Sequence, residues 1–85
     1  MKANVSLFIE EKCPACERAL DIVRSVQDLC RISVTVYERK KDAKLFSQHG
    51  VVICPATFID NELIFYGDFT REQFLKQLEI VASRP

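Results

Sequence analysis

The sequence predicts an α/β fold: a four-stranded mixed sheet flanked by helices, in the order β-α-β-α-β-β-α. Three observations lead there. Val5-Ser6-Leu7-Phe8-Ile9 and Ile32-Ser33-Val34-Thr35-Val36-Tyr37 are short, apolar or β-branched runs of strand type. Between them, from Pro14 onward, apolar residues recur at helical spacing. Ala56–Ile59 and Glu62–Tyr66 then flank Asp60-Asn61, a hairpin signal.

Each element follows in order. Val5–Ile9 reads as a central, buried strand. In the first helix Cys16, Ala19, Leu20, Val23, Val26 and Cys30 share one face, and Glu17, Arg18, Asp21, Arg24 and Asp28 take the other. Cys13 falls at its N-cap and Pro14 at its first position, where a missing N–H costs nothing. Ile32–Tyr37 is the second strand, and returning to it parallel needs a right-handed crossover. Arg39-Lys40-Lys41 reads as a solvated basic turn. Asp42 is placed to cap a short helix through Phe46 and His49, closed by Gly50 in the left-handed region. His49 then stands at that helix's C-terminus as a cap. Thr70 with Gln73 forms a capping box for the last helix, with Phe74, Leu75, Leu78 and Val81 turned inward. Phe8, Phe46, Phe58, Phe65 and Phe74 are core aromatics in this reading.

Composition narrows the function classes. The 85 residues are 48% hydrophobic and 28% charged, a globular composition that forms one domain over residues 1–85. Twelve basic and twelve acidic side chains cancel, so no charge excess points to a nucleic acid or an anionic membrane. No apolar stretch approaches a bilayer span. Met1–Ser6 has no apolar h-region, so no signal peptide is read and the expected compartment is the cytoplasm. There, structural disulfides are rare, and the four cysteines need a chemical reason.

Cys13 and Cys16 form a CxxC motif. At a helix N-cap, free backbone N–H groups point at the Cys13 sulfur, and the positive end of the helix dipole favours its thiolate. Three-residue spacing brings Cys16 within disulfide reach, while its inward face shields it. The pair is an exposed nucleophile with a protected resolving thiol. A zinc knuckle is the competing reading. It needs a second ligand pair of comparable spacing, whereas Cys30 and Cys54 stand alone and His49 is the sole histidine.

The strand leading to Cys13-Pro14-Ala15-Cys16 and an amphipathic helix resembles the thioredoxin and glutaredoxin superfamily, in its small single-domain form. The resemblance continues through Gly50–Phe58, which is similar to the segment carrying the family's cis-proline, and through Tyr66-Gly67-Asp68-Phe69-Thr70. It implies a thioredoxin-like fold, with Cys13 as attacking thiolate, Cys16 as resolving thiol and Pro55 as the cis-proline. Backbone at Cys54 would pair with an extended substrate strand. Lys12, Pro14, Ala15, Cys54, Pro55, Tyr66, Gly67 and Asp68 would line the substrate site, with Tyr66 and Phe69 offering apolar contact to a partner. No prosthetic group is required. Partners implied are a disulfide-containing protein substrate and a thioredoxin reductase-like protein or glutathione as reductant, with the chain a monomer.

Several residues depart from the family pattern. The strand from Val5 to Ile9 lacks the buried acid of thioredoxins, so another base must serve Cys16. Ala15 replaces the aromatic third residue of glutaredoxins, and Ile53-Cys54 replaces their Thr-Val. Cys54 reads either as a third redox thiol or as a small residue tuning substrate contact, the second being preferred. Cys30 reads as core. The function expected is a protein disulfide reductase. The alternatives are a glutathione-dependent glutaredoxin, with Lys12 and Asp68 as a fragment of its site, and a metal or iron–sulfur carrier through Cys13 with Cys16 or Cys54.

Overall fold

A computed structural model describes residues 3–84. Met1, Lys2 and Pro85, at the ends of the expected 1–85 unit, lie outside the described residues. The elements are β1 (Ala3–Ile9), α1 (Pro14–Gln27), β2 (Ile32–Glu38), α2 (Ala43–Gln48), β3 (Ala56–Ile59), β4 (Glu62–Tyr66) and α3 (Arg71–Ala82). The four strands form one mixed sheet in the order β2-β1-β3-β4. β1 runs parallel to β2 and antiparallel to β3, which closes an antiparallel hairpin with β4.

Ala3, Val5, Leu7 and Phe8 of β1 are buried because the strand is covered on both faces, while Asn4 is exposed. Ala3, Val5 and Leu7 pack with Ala19, Val23 and Val26 of α1 and Phe74 and Val81 of α3. Phe8 points the other way, into a smaller cluster with Phe46, Val51, Ala56 and Phe58 beside α2. The period of two along the strand divides these contacts between the two layers. Phe8 is the hub of the second cluster, with its ring centroid 4.9 to 5.3 Å from those of Tyr37, Phe46, His49 and Phe58.

The turns follow local chemistry. Asp60 and Asn61 both have positive φ, 49° and 67°, as a tight hairpin turn between twisted strands requires. Gly50, at φ 66°, ends α2 in the left-handed conformation. Thr70 and Gln73 make both bonds of the capping box on α3.

Several expectations need correction. α1 ends at Gln27, so Cys30 lies beyond the helix in a turn and is exposed rather than core. The helical period cannot carry a face past the last helical residue. Leu75 is one-third exposed, because a residue next to Phe74 is turned about 100° away from the buried stripe. Phe69 is buried and stacked on Phe65 at 4.6 Å, so it packs the core instead of meeting a partner. Asp42 stands at the N-cap of α2 but makes no side-chain cap bond, because its carboxylate accepts the Glu38 N–H at 2.9 Å. The Thr57 hydroxyl is buried without a partner among the described residues, and nothing in the structure explains it.

Phe8→Ala removes a side chain buried against four rings. It is expected to cost about 3–5 kcal/mol of unfolding free energy, read from the urea midpoint.

Candidate active site

The site forms where three loops meet at one end of the sheet. β1 delivers the chain to Glu10-Glu11-Lys12, and Lys12 takes a positive φ of 54° to turn it into α1. Cys13 is the N-cap of α1, with extended backbone, and Pro14 occupies the first turn. The Cys16 N–H donates to Cys13 Sγ at 3.1 Å. That bond satisfies one of the orphan donors of the helix and sets positive partial charge against the Cys13 sulfur.

The two thiols differ in their surroundings. Cys13 is half-buried and Cys16 is buried. Burial pushes the Cys16 thiol up to about 12 from its ordinary 9.0. The hydrogen bond and negative charge of Cys13 add to that, while a backbone bond from Glu10 works against it. A cavity of about 200 Å³ opens beside the pair, lined by Ile9, Glu10, Lys12, Glu17 and Glu38 among others.

The loop before β3 supplies the opposite wall. Val51 is buried, Val52 and Ile53 are 77% and 57% exposed, and Cys54 is half-buried. The Cys54–Pro55 peptide bond is cis. The Gly67 N–H donates to Pro55 O at 2.8 Å, and the Tyr66 hydroxyl donates to Gly50 O at 3.4 Å, so the end of β4 holds this loop. Tyr66 is 45% exposed beside it. Burial raises the Cys54 thiol and the Glu10 carboxylate adds to this, against the Arg39 guanidinium.

Of the expected site residues, Lys12, Cys13, Pro14, Ala15 and Cys16 share the β1–α1 junction. Cys54 and Pro55 lead into β3, Tyr66 ends β4, and Gly67 and Asp68 follow it. The structure differs at Asp68. Both of its carboxylate oxygens accept from the Arg18 guanidinium at 2.9 Å, which holds the carboxyl below the usual range. Arg18 lies on the outer face of α1 within electrostatic reach of Cys13. Asp68 is therefore paired with Arg18 in an exposed ion pair that joins α1 to the turn after β4.

The basic turn after β2 is likewise not merely solvated. Lys40 pairs with Glu11 at 3.1 Å, and Arg39 reaches Glu10, Val52 and Cys54. Arg18, Arg39 and Glu10 were missed as site residues. A signal for Arg39 existed in the β-α-β reading, because parallel neighbours end on the same side and the residues after β1 and β2 meet there. Nothing in the chain order signals the Arg18–Asp68 pair. Among the described residues, no group of three or more His, Cys, Asp or Glu side chains is arranged to hold a metal ion. Nor is any helix among them long and apolar enough to cross a membrane.

The sequence matches the family described as the thioredoxin domain over residues 1–79. The chain belongs to the thioredoxin domain family. A search of curated proteins finds no match. The family is one of thiol–disulfide redox proteins, and in this thioredoxin domain the Cys13 and Cys16 pair stands at the junction of β1 and α1.

The raised Cys16 thiol couples stability to pH. An acid whose folded value lies above its unfolded value stabilises the fold fully below the unfolded 9.0, and loses that contribution as pH rises toward about 12. Reduced protein is expected to lose on the order of 1 kcal/mol per pH unit in that window. Cys16→Ala removes this slope. Urea unfolding of both proteins at increasing alkaline pH checks it, and identical slopes would place the titrating group elsewhere.

Proposed function

We propose that this protein is a protein disulfide reductase acting through Cys13 and Cys16. The carrying observation is the asymmetry of the pair: Cys13 Sγ accepts the Cys16 N–H at 3.1 Å at the helix N-cap, while Cys16 is buried and held as the thiol.

The chemistry follows from that asymmetry. The Cys13 thiolate attacks one sulfur of a substrate disulfide. A Cys13–substrate S–S bond forms, the substrate S–S bond breaks, and the other substrate sulfur leaves as a thiolate that takes up a proton. Cys13 then carries no negative charge and no longer draws on the Cys16 proton. Both Cys13 contributions that push Cys16 upward are removed at this step. Cys16 becomes more acidic at the moment it must act, which lessens the need for a buried acid in β1. Its thiolate attacks Cys13 Sγ, forming Cys13–Cys16 and releasing the second substrate thiolate. The substrate gains two electrons and the protein pair loses two.

An extended segment of the substrate protein docks against the backbone of the loop before Pro55, where Val52, Ile53 and Tyr66 present exposed apolar surface. A reductase-like protein or glutathione restores the dithiol. The protein works as a monomer in a reducing compartment such as the cytoplasm.

Cys13→Ser is expected to abolish the protein's acceleration of insulin reduction by dithiothreitol, leaving the rate of dithiothreitol alone, and Cys16→Ser to accumulate a mixed disulfide seen by mass spectrometry. Retained activity in Cys13→Ser overturns the proposal. A redox titration places the pair: about −270 mV marks a thioredoxin-like reductant, and about −200 mV glutaredoxin-like work.

A further inference from the structure

Arg39 is the first residue after β2. Its N–H donates to Ile9 O at 3.0 Å, which fixes its backbone beside the point where β1 leaves the sheet. Its guanidinium spans the gap between two loops. One nitrogen, Nη2, lies 3.1 Å from Glu10 Oε1, 2.8 Å from Val52 O and 3.3 Å from Cys54 Sγ. That nitrogen has two N–H groups for three acceptors, so the long contact to sulfur is a shared one. The guanidinium carbon sits 5.0 Å over the ring of Phe46 in α2, which limits where the fork can swing.

The loop it holds has little else to hold it. Val52 and Ile53 project into solvent. Arg39 donates to both Val52 O and Cys54 Sγ, and Glu10 is the other side chain that reaches Cys54. The bonds from β4 reach only Gly50 and Pro55, on either side of that segment. Arg39 also pairs Glu10, whose carboxylate otherwise faces Cys54 as an uncompensated charge.

We propose that Arg39 is a positioning residue for substrate capture, clamping the Val52–Cys54 backbone to the β1–α1 loop so that an extended substrate meets it in one conformation. This rests on the exchange reading given above. Arg39 touches neither reacting sulfur, so its effect falls on binding rather than on the attack by Cys13. A lysine keeps the charge but cannot present a planar fork to a carboxylate and a carbonyl together.

The test compares wild type, Arg39→Met and Arg39→Lys on two substrates. Insulin must dock on the loop, whereas a small aromatic disulfide needs only the Cys13 sulfur. In Arg39→Met the KM for insulin is expected to rise about tenfold, the equivalent of one lost charge-assisted hydrogen bond. Its kcat and its rate with the small disulfide stay close to wild type, and Arg39→Lys falls between. A second readout needs no turnover. The pH midpoint of Cys54 alkylation, followed by mass spectrometry, moves up in Arg39→Met, because the guanidinium that opposes burial is gone. Glu10, the other charged group beside Cys54, remains in all three proteins.

An unchanged KM for insulin in an active Arg39→Met overturns this proposal alone. So does an equal loss on both substrates, which marks a general structural role. If Arg39→Met does not fold, Arg39→Lys decides: a wild-type KM for insulin overturns the clamp, and a raised KM with an unchanged small-disulfide rate supports it. Wild-type protein that reduces neither substrate overturns the exchange reading and this proposal with it.

Discussion

The structure depends on β1 being hydrogen-bonded on both edges and covered on both faces. Val5, Leu7 and Phe8 are exposed to 1% or less, and the strand pairs with β2 on one side and β3 on the other. A strand in that position has no freedom of register, because a slip of one residue would exchange Leu7 for Phe8 between two differently shaped layers. The fixed strand sets where the chain emerges, and Cys13 lies four residues past its end. The same constraint aligns the ends of β2 and β3, so Arg39 and Pro55 arrive at the site by topology.

At the site, local electrostatics decides more than total charge. The chain is formally neutral, so no long-range field raises or lowers the thiols together. What separates Cys13 from Cys16 is a helix N-terminus acting on one and burial acting on the other. Cys13 also acts on its partner, so engaging Cys13 changes the acidity of Cys16. Around them, Glu10 and Glu11 are paired with Arg39 and Lys40, and Asp68 with Arg18. These exposed pairs contribute little to stability by themselves. Their weight is geometric: they join α1 to the end of β4, and β2 to the loops on either side of the cysteines.

The sequence was legible where one residue's role depends on near neighbours. The hairpin at Asp60-Asn61, the capping box at Thr70 and Gln73, and the Cys13 N-cap with Pro14 are settled within four residues, and the structure has all three. The apolar period placed Val23, Val26, Phe74 and Val81 in the core correctly. The same period misled where it ran past an element's end, as at Cys30, or to the margin of a buried stripe, as at Leu75. Phe69 looked like surface because it follows a glycine turn, yet stacking on Phe65 draws it in.

The sequence by itself therefore determined the element order, the mixed sheet and the CxxC at the head of α1, because these rest on short-range periodicity, capping and turn chemistry. Only the tertiary structure decided the partners of the charged groups. Arg18 meets Asp68 across 50 positions, and Arg39 meets Cys54 across 15. An arginine reads alike in sequence whether it is solvated or clamped, since its side chain is long and its partners are chosen by whatever the fold brings within reach. The chain order places the thiols, and the folded sheet decides which charges surround them and which loop those charges hold.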